Sequence, residues 1–271
     1  MPRLMKHTLC AGLLGLCAAL LLRLPVDTVS AGNAARTRLG EARRVGQGRA
    51  RSRVTLDARG RPLALGVEIT DQALSGLPSH KEEYVLSLPA GVAVPPFNHT
   101  ALDWNPHGHI PPQIYDVPHF DFHFYFMSPA ERARITAKGD DVARVRRAPP
   151  ADAIPAGYMY APGGDEPAMG AHWVNPQSPE FHGKPFTHTL IYGFYDGRMV
   201  FVEPMVALSF LQTRPCVTAA IPQPKSYPAR GYYPTRYQIR HVTSANGGAI
   251  RVSLEGLVLR DGPPTASRGG R

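Results

Sequence analysis

Residues 119–126 alternate without interruption between titratable side chains and phenylalanine, and this segment constrains the fold more than any other. Successive side chains of a β-strand point to opposite faces, whereas a helix would scatter both sets around its circumference. The segment therefore predicts a strand with its four phenylalanines on a core face. The opposite face would carry His119, Asp121, His123 and Tyr125, a composition that favours the lining of a polar site.

The rest of the chain also predicts mainly antiparallel strands. Short apolar runs separated by turn residues recur along residues 53–260, which indicates a single β-rich domain. A capping box from Ser128 to Glu131 predicts a helix start, residues 206–211 predict a second short helix, and residues 89–118 are expected to be a loop. We therefore expect an α+β fold, predominantly antiparallel β-sheet with one or two short helices. A cupin-like β-barrel is the alternative.

The N-terminal residues 1–31 have the features of a signal peptide. Basic residues precede an apolar run at residues 9–22, and Val29-Ser30-Ala31 offers small residues at a cleavage site. A membrane anchor is the competing interpretation, but this run is short against the ~20 residues that span a bilayer. A lipoprotein, modified at Cys17, is a further alternative. We expect export to the periplasm or the extracellular space.

The net charge of +9 is confined to the N-terminal part of the chain. Residues 1–31 carry +2 and residues 32–61 carry +7, so residues 62–271 are neutral. The composition of residues 32–52 predicts a disordered basic arm, and residues 261–271 predict a disordered tail. The arm has no aromatic residue for base stacking, which together with export argues against nucleic acid as a partner. Electrostatic contact with anionic envelope components stays open.

The Asp196–Gly197 turn predicts a hairpin and its register. A two-residue turn would pair Glu203 with Leu190. His188 and Tyr192 would then share the face of Glu203, with His188 diagonal to it and within reach of a carboxylate–imidazole contact. The hairpin thus predicts a histidine and a glutamate at one end of a largely apolar surface.

Imidazoles together with a carboxylate are typical ligands of Zn, Mn, Fe, Ni or Cu. We expect His123, His172 and Glu203 to hold a divalent ion of this group. One further histidine, His119, is expected to complete the ligand set. A straight strand would separate the backbones of His119 and His123 by ~13 Å, so this assignment requires a bulge or bend.

Other polar residues are expected to support the ligands rather than to bind the ion. Asp121 suits the orientation of a ligand imidazole, and Tyr125 and Tyr192 suit a hydrogen bond to a small-molecule substrate or to bound water. Further candidates for the same environment are His188, His107 and His109.

Two functions stay open on this reasoning. In the first, an exported metal-dependent enzyme activates water or oxygen, or polarises a carbonyl of a small molecule. In the second, a non-enzymatic oligomeric envelope protein uses the polar cluster as a structural network. The sequence lacks the motifs of serine hydrolases, phosphate-loop and dinucleotide-binding enzymes, and HExxH zinc proteases, which argues against those classes.

Five longer motifs lie within residues 53–259. They are HFDFHFY at 119–125, MGAHW at 169–173, YGFYDG at 192–197, FVEPM at 201–205 and SLEGL at 253–257. In these motifs the chain resembles a family of uncharacterised exported bacterial proteins that was first seen structurally in a Thermus protein. The resemblance implies an exported, β-rich homo-oligomer, and it supplies neither a reaction nor a ligand set.

Overall fold

The computed structural model describes residues 34–244 and 247–263, which form two large antiparallel sheets and a two-stranded ribbon. Sheet I contains β1 (Arg36–Leu39), β2 (Arg43–Val45), β3 (Gly48–Leu56), β4 (Pro62–Thr70), β12 (Cys216–Ala220), β14 (Arg236–Ser244) and β15 (Gly247–Glu255). Sheet II contains β5 (Glu82–Ser87), β6 (His99–Asn105), β7 (His119–Tyr125), β8 (Met159–Glu166), β9 (Gly170–Val174), β10 (His188–Tyr195) and β11 (Arg198–Ala207). The ribbon pairs β13 (Gly231–Tyr233) with β16 (Val258–Arg260).

The main hydrophobic core contains side chains from both sheets. Sheet I has the order β1-β3-β4-β15-β14-β12, with β2 also on β3, and sheet II the order β5-β6-β7-β11-β10-β9-β8. Val67 and Val252 of sheet I share one buried cluster with Phe122 and Val202 of sheet II. The two sheets therefore form a sandwich, and apolar burial between them supplies the main stabilising free energy.

The prediction of a predominantly antiparallel β-fold is confirmed, whereas the cupin-like barrel is wrong. Sheet II begins with β5 and ends with β8, and these two strands do not pair with each other in the described residues. The expected loop at residues 89–118 is also wrong in part, because β6 lies within it. Every residue of β6 is buried, so tertiary packing outweighs the Pro- and Gly-rich flanks that favoured a loop.

The α-helices of the described residues are short: α1 (Pro129–Arg132), α2 (Asp141–Val145) and α3 (Leu208–Gln212). The predicted capping box is confirmed, since the Glu131 amide donates to Ser128 Oγ and the Ser128 amide donates to the Glu131 carboxylate. One more short helix is present than expected. None of the helices in the described ranges has the length and apolar character needed to cross a membrane.

The arginine-rich segment is ordered where the structure describes it. Residues 34–52 were expected to belong to a disordered arm, yet they contribute β1, β2 and part of β3 to sheet I. The prediction from composition did not take into account the alternation in β3. Ala50, Ser52 and Val54 are buried there, and the arginines between them are at least partly exposed. The predicted signal peptide, residues 1–31, and residues 264–271 of the predicted tail lie outside the described residues.

A buried carboxylate joins three strands of sheet I. Glu68 on β4 lies opposite Arg51 of β3 and Arg251 of β15. Arg51 Nη2 donates to Glu68 Oε1 at 2.6 Å, and Arg251 Nε donates to Oε2 at 2.7 Å. Burial favours the protonated acid, but the hydrogen bonds from both arginines outweigh it and lower the pKa of Glu68. The carboxylate is therefore ionised at neutral pH.

Glu68→Gln is expected to lower the free energy of unfolding by about 1 kcal/mol at pH 7, because both arginines are partly exposed and solvent screens the pair. The folded-state pKa is depressed, so this contribution is present above 4.5, the ordinary pKa of glutamate, and is lost as the pH falls through the folded value. Urea denaturation from pH 7 to pH 3 measures it. The exposed Glu41→Gln serves as the control, and equal losses in both variants would contradict the assignment.

Candidate functional site

The polar face of β7 lies near the middle of sheet II, on the side away from sheet I. The predicted strand is confirmed: Phe120, Phe122 and Phe124 are completely buried in the core between the sheets. His119, Asp121, His123 and Tyr125 occupy the opposite face and are also buried. A polar surface that is shielded from water needs partners for its charges.

The neighbouring strands bring carboxylates to this face. On β6, Asp103 lies opposite Asp121. On β11, Met205 lies opposite Asp121, and this register places Glu203 opposite His123. Three carboxylates and two imidazoles therefore meet on adjacent strands, where like charges alone would destabilise the sheet.

His172 reaches the same region from β9. Gly193 of β10 lies opposite both His172 and Phe201. A Cβ atom at Gly193 would overlap the ring of Phe201, so glycine allows this ring to lie across β10. The Phe201 ring then contacts the imidazoles of His123 and His172, with centroid distances of 4.9 Å and 5.3 Å. The glycine and the phenylalanine together position both histidines.

The first group of converging donors, which we call group 1, consists of His123, His172 and Glu203. Their ligand atoms lie within 4.8 Å of one another. Nε2 of His123 lies 3.4 Å from Glu203 Oε2, and Nε2 of His172 lies 3.7 Å from the same oxygen. His123 and Glu203 are inaccessible to solvent, whereas the His172 side chain is 14% exposed. The three side chains expected to share a site therefore lie together.

Both imidazoles of group 1 have an oxygen atom next to Nδ1, although only that of His172 accepts a hydrogen bond. The Nδ1–H of His172 donates to the carbonyl oxygen of Gly164 at 2.7 Å. Nδ1 of His123 lies 3.0 Å from Oδ2 of Asp103. A histidine whose Nδ1–H is directed to a carbonyl or carboxylate presents the lone pair of Nε2. The Nε2 atom of each ring thus faces Glu203.

The second group of donors, group 2, consists of His109, His119 and Asp121. Asp121 Oδ1 lies 3.1 Å from Nε2 of His119, and its Oδ2 lies 3.6 Å from Nε2 of His109. The Nδ1–H of His119 donates to Val117 O at 2.7 Å, and that of His109 donates to Ile110 O at 2.8 Å. His119 was expected to join His123 around one ion. Strand geometry instead keeps the two apart, and His119 lies with His109 and Asp121.

Several buried atoms of both groups have no hydrogen-bond partner of acceptable geometry among the described residues. They are Nε2 of His119, Oδ1 of Asp121, both ring nitrogens of His123 and Oε2 of Glu203. These atoms lie close to each other, but their mutual approach does not have hydrogen-bond geometry. A buried polar atom without a partner costs free energy, so the arrangement requires a further interaction.

The electrostatics of the two groups follow from the carboxylates. Burial disfavours protonation of His123, but Glu203 and Asp103 outweigh it and raise the pKa of this imidazole to about 10. Burial acts in the same direction on His109, and Asp121 raises its pKa to about 9. For Asp121, burial favours the neutral acid, yet His119 and His109 hold its pKa well below its usual range. The Asp121 carboxylate therefore stays ionised at neutral pH and attracts cations.

A cavity of about 290 Å³ opens beside both groups. His172 of group 1 and His109 and Asp121 of group 2 contribute to its wall. The remaining wall is largely apolar and includes Ile110, Pro111, Tyr115, Met159, Tyr160, Met169, Phe181 and Ile191. An apolar cavity with a few converging polar groups is the usual form of a small-molecule site.

Tyr125 lies in a stack of rings at one end of the polar face. Its ring is parallel to those of His99 and His123, with centroid distances of 5.0 Å and 5.2 Å, and the Arg132 guanidinium lies 3.8 Å from its centroid. Arg132 also donates to Glu83 and to the carbonyl oxygen of Ala168. Tyr125 is fully buried and does not line the cavity. Its expected contact with a substrate in this cavity is therefore not supported, and its contact with bound water stays a prediction.

Three other expected residues lie away from both groups. The His188 imidazole contacts Tyr237 Oη at 2.7 Å on the core face, and the Tyr192 hydroxyl donates to Pro222 O. The predicted hairpin register is wrong beyond a β-bulge at Gly193, since Glu203 pairs with Ile191 and not with Leu190. This shift of one residue places His188 and Tyr192 on the face opposite Glu203. His107 is exposed and belongs to neither group.

Sequence reasoning missed Asp103 and His99, both on β6. The run from His99 to Asn105 does contain a signal, because polar residues at positions 99, 103 and 105 share one face of a strand. Thr100 weakens the pattern on the other face, and the surrounding prolines favoured a loop. The sequence therefore contains the alternation that indicates β6, but only over a short segment.

Residues 57–104 match the family model TTHB210-like, described as hypothetical protein TTHB210. The resemblance to an uncharacterised family first seen in Thermus is thereby confirmed. The matched part includes Asp103 but none of the six residues of groups 1 and 2. No curated protein and no solved structure was found to match the chain.

Proposed function

We propose that the chain binds a divalent transition-metal ion through His123, His172 and Glu203, next to a cavity that takes a small molecule. The observation that carries this proposal is the convergence of two Nε2 atoms and one carboxylate oxygen within 4.8 Å. A hydrogen bond at Nδ1 orients the His172 ring, and Asp103 lies close to Nδ1 of His123, so Nε2 of each ring faces the position of the ion.

The donor set limits the identity of the ion. Two imidazole nitrogens and one carboxylate oxygen suit Zn, Mn, Fe, Ni or Cu, whereas Mg and Ca prefer oxygen ligands. Three protein ligands leave coordination positions open, which is typical of catalytic rather than structural zinc sites. A bound ion would supply Lewis acidity, or a redox centre if it is iron, manganese or copper.

The protein residues would prepare the environment of the ion. Asp103 lies beside Nδ1 of His123, and Phe201 packs against both imidazoles. His172 also lines the cavity, so it connects the ion to the space for a small molecule. The largely apolar wall would restrict water around that molecule. These features favour metal-dependent chemistry over a purely structural network.

Purified wild-type protein is expected to contain metal by elemental analysis, or to take up Zn²⁺ or Fe²⁺ on reconstitution. His172→Ala is expected to lose about one equivalent per chain, since one of three ligands is removed. His172 is partly exposed, so this change costs less stability than a change at a fully buried ligand.

The exposed His182→Ala provides a matched control for nonspecific histidine binding and should retain the wild-type metal content. Circular dichroism establishes that each variant is folded. Full metal content in folded His172→Ala, or wild-type protein that resists reconstitution, would overturn the assignment in favour of a structural network.

We also propose that the chain acts after export. The basic and apolar pattern of residues 1–31 supports this, and the exposed arginines of β1 and β2 would suit anionic envelope components. Cell fractionation with N-terminal sequencing tests it, and the expected mature chain begins at Gly32. An uncleaved cytoplasmic product would contradict the proposal. Assembly into a homo-oligomer stays a prediction of the family resemblance.

A further inference from the structure

We propose that His109, His119 and Asp121 form a second metal site, and that two ions serve the same cavity. This inference goes beyond the proposed function, because group 2 shares no residue with group 1. It concerns a ligand of the same chemical class, a divalent transition-metal ion. The second site can therefore be supported or rejected independently of the first.

The donor set of group 2 repeats that of group 1. Each contains two histidines and one carboxylate, and the ligand atoms of each lie within 4.8 Å of one another. In group 2 both histidines donate Nδ1–H to backbone carbonyls, at 2.7 Å for His119 and 2.8 Å for His109. Both rings consequently present Nε2 to Asp121, which is the orientation of metal-bound histidine.

The carboxylate of group 2 is also oriented by a neighbour. Asn105 Nδ2 donates to Asp121 Oδ2 at 2.7 Å, in a contact between buried side chains. This hydrogen bond leaves Oδ1 as the oxygen that has no partner among the described residues. Support of a ligating carboxylate by an amide is a common feature of metal sites.

Burial supplies the independent argument for a ligand. His119 is fully buried and Asp121 is 3% exposed, yet Nε2 of His119 and Oδ1 of Asp121 lack hydrogen-bond partners in the described ranges. A cation between them would satisfy both atoms at once. A purely structural network would leave two desolvated polar atoms 3.1 Å apart without a hydrogen bond.

The strand geometry brings the two groups close together. Asp121 and His123 are separated by one residue on β7, so their side chains leave the same face about 7 Å apart at the backbone. His109, Asp121 and His172 line one cavity of about 290 Å³. A small molecule in this cavity would therefore contact ligands of both ions.

Titration of metal-free protein with Zn²⁺, followed by equilibrium dialysis and elemental analysis, tests this second site. Wild-type protein should bind two equivalents per chain, and His109→Ala and His172→Ala should each bind one. The double variant should bind none. His109 is half-buried, so its substitution is expected to leave the fold intact, and His119→Ala provides a second variant of the same group.

The outcomes separate the two proposals. Retention of the wild-type stoichiometry in both folded His109→Ala and folded His119→Ala would overturn the second site, whatever happens at His172. If His172→Ala keeps full metal content and His109→Ala loses an equivalent, the second site stands and group 1 is wrong. Wild-type protein that binds one equivalent, lost only with His172→Ala, supports group 1 alone and rejects the second site.

Discussion

Phe122→Ala is expected to lower the free energy of unfolding by about 3–5 kcal/mol, the usual cost of removing a fully buried phenylalanine. Phe122 has no solvent-accessible surface, and it lies in the cluster that joins the two sheets. Close packing on both sides limits how far the surroundings can collapse into the space. Equilibrium denaturation in urea, monitored by tryptophan fluorescence and circular dichroism, measures the loss.

Phe126→Ala is the matched control for Phe122→Ala. It removes the same side chain just beyond the end of the same strand, at a partly buried position next to Phe97. The expected destabilisation is smaller, since less apolar surface is returned to water on unfolding. A loss at Phe122 no greater than that at Phe126 would contradict the placement of the phenylalanine side chains of β7 between the sheets.

Asp103→Asn is expected to weaken metal binding at group 1 by about 10–100-fold, the usual effect of removing the partner of a ligand imidazole. Asp103 is completely buried, and its Oδ2 lies 3.0 Å from Nδ1 of His123. An amide of the same shape lacks the negative charge that makes His123 a strong electron donor. Competition titration of Zn²⁺ against a chromophoric chelator measures the affinity, while the stoichiometry at saturation should stay unchanged.

Glu83→Gln provides the control for Asp103→Asn. Glu83 lies opposite Asp103 on β5, but its carboxylate pairs with Arg132 rather than with His123. Its substitution should leave the metal affinity of group 1 unchanged. Equal affinities in wild type and Asp103→Asn would contradict the role of Asp103, and a lost equivalent at saturation would identify it as a ligand.

The strand at the centre of the site was predictable because its signal is local. Alternation of residues 119–125 depends only on the period of a β-strand, and the structure has this strand with a core face and a polar face. The same geometric argument cast doubt on His119 and His123 as ligands of one ion. The structure places them in separate groups for this reason.

The hairpin register was not predictable from the turn. Tyr195 pairs with Arg198 as the Asp196–Gly197 turn requires, but the pairing shifts by one residue at Gly193. The shift occurs where the ring of Phe201 lies across Gly193, a contact that no local rule contains. His188 and Tyr192 were assigned to the site because this contact was unknown.

Order in residues 34–52 was missed for a different physical reason. Composition describes how well a segment can bury apolar surface by itself, and by that measure an arginine-rich segment remains disordered. Here β3 buries only small side chains and pairs along its length with β4. Backbone hydrogen bonds to β4 therefore stabilise this segment, although its side chains bury little apolar surface.

The bulge at Gly193 divides the hairpin into two parts that are registered independently. Near the turn, the Asp196–Gly197 turn sets the pairing partners of Phe194 and Tyr195. The position of Glu203 is instead set by the pairing of β11 with β7. A residue inserted or deleted at the tip of the hairpin would therefore change the local pairing there and leave Glu203 facing His123. We therefore expect a change in the length of this turn to leave the proposed metal site intact.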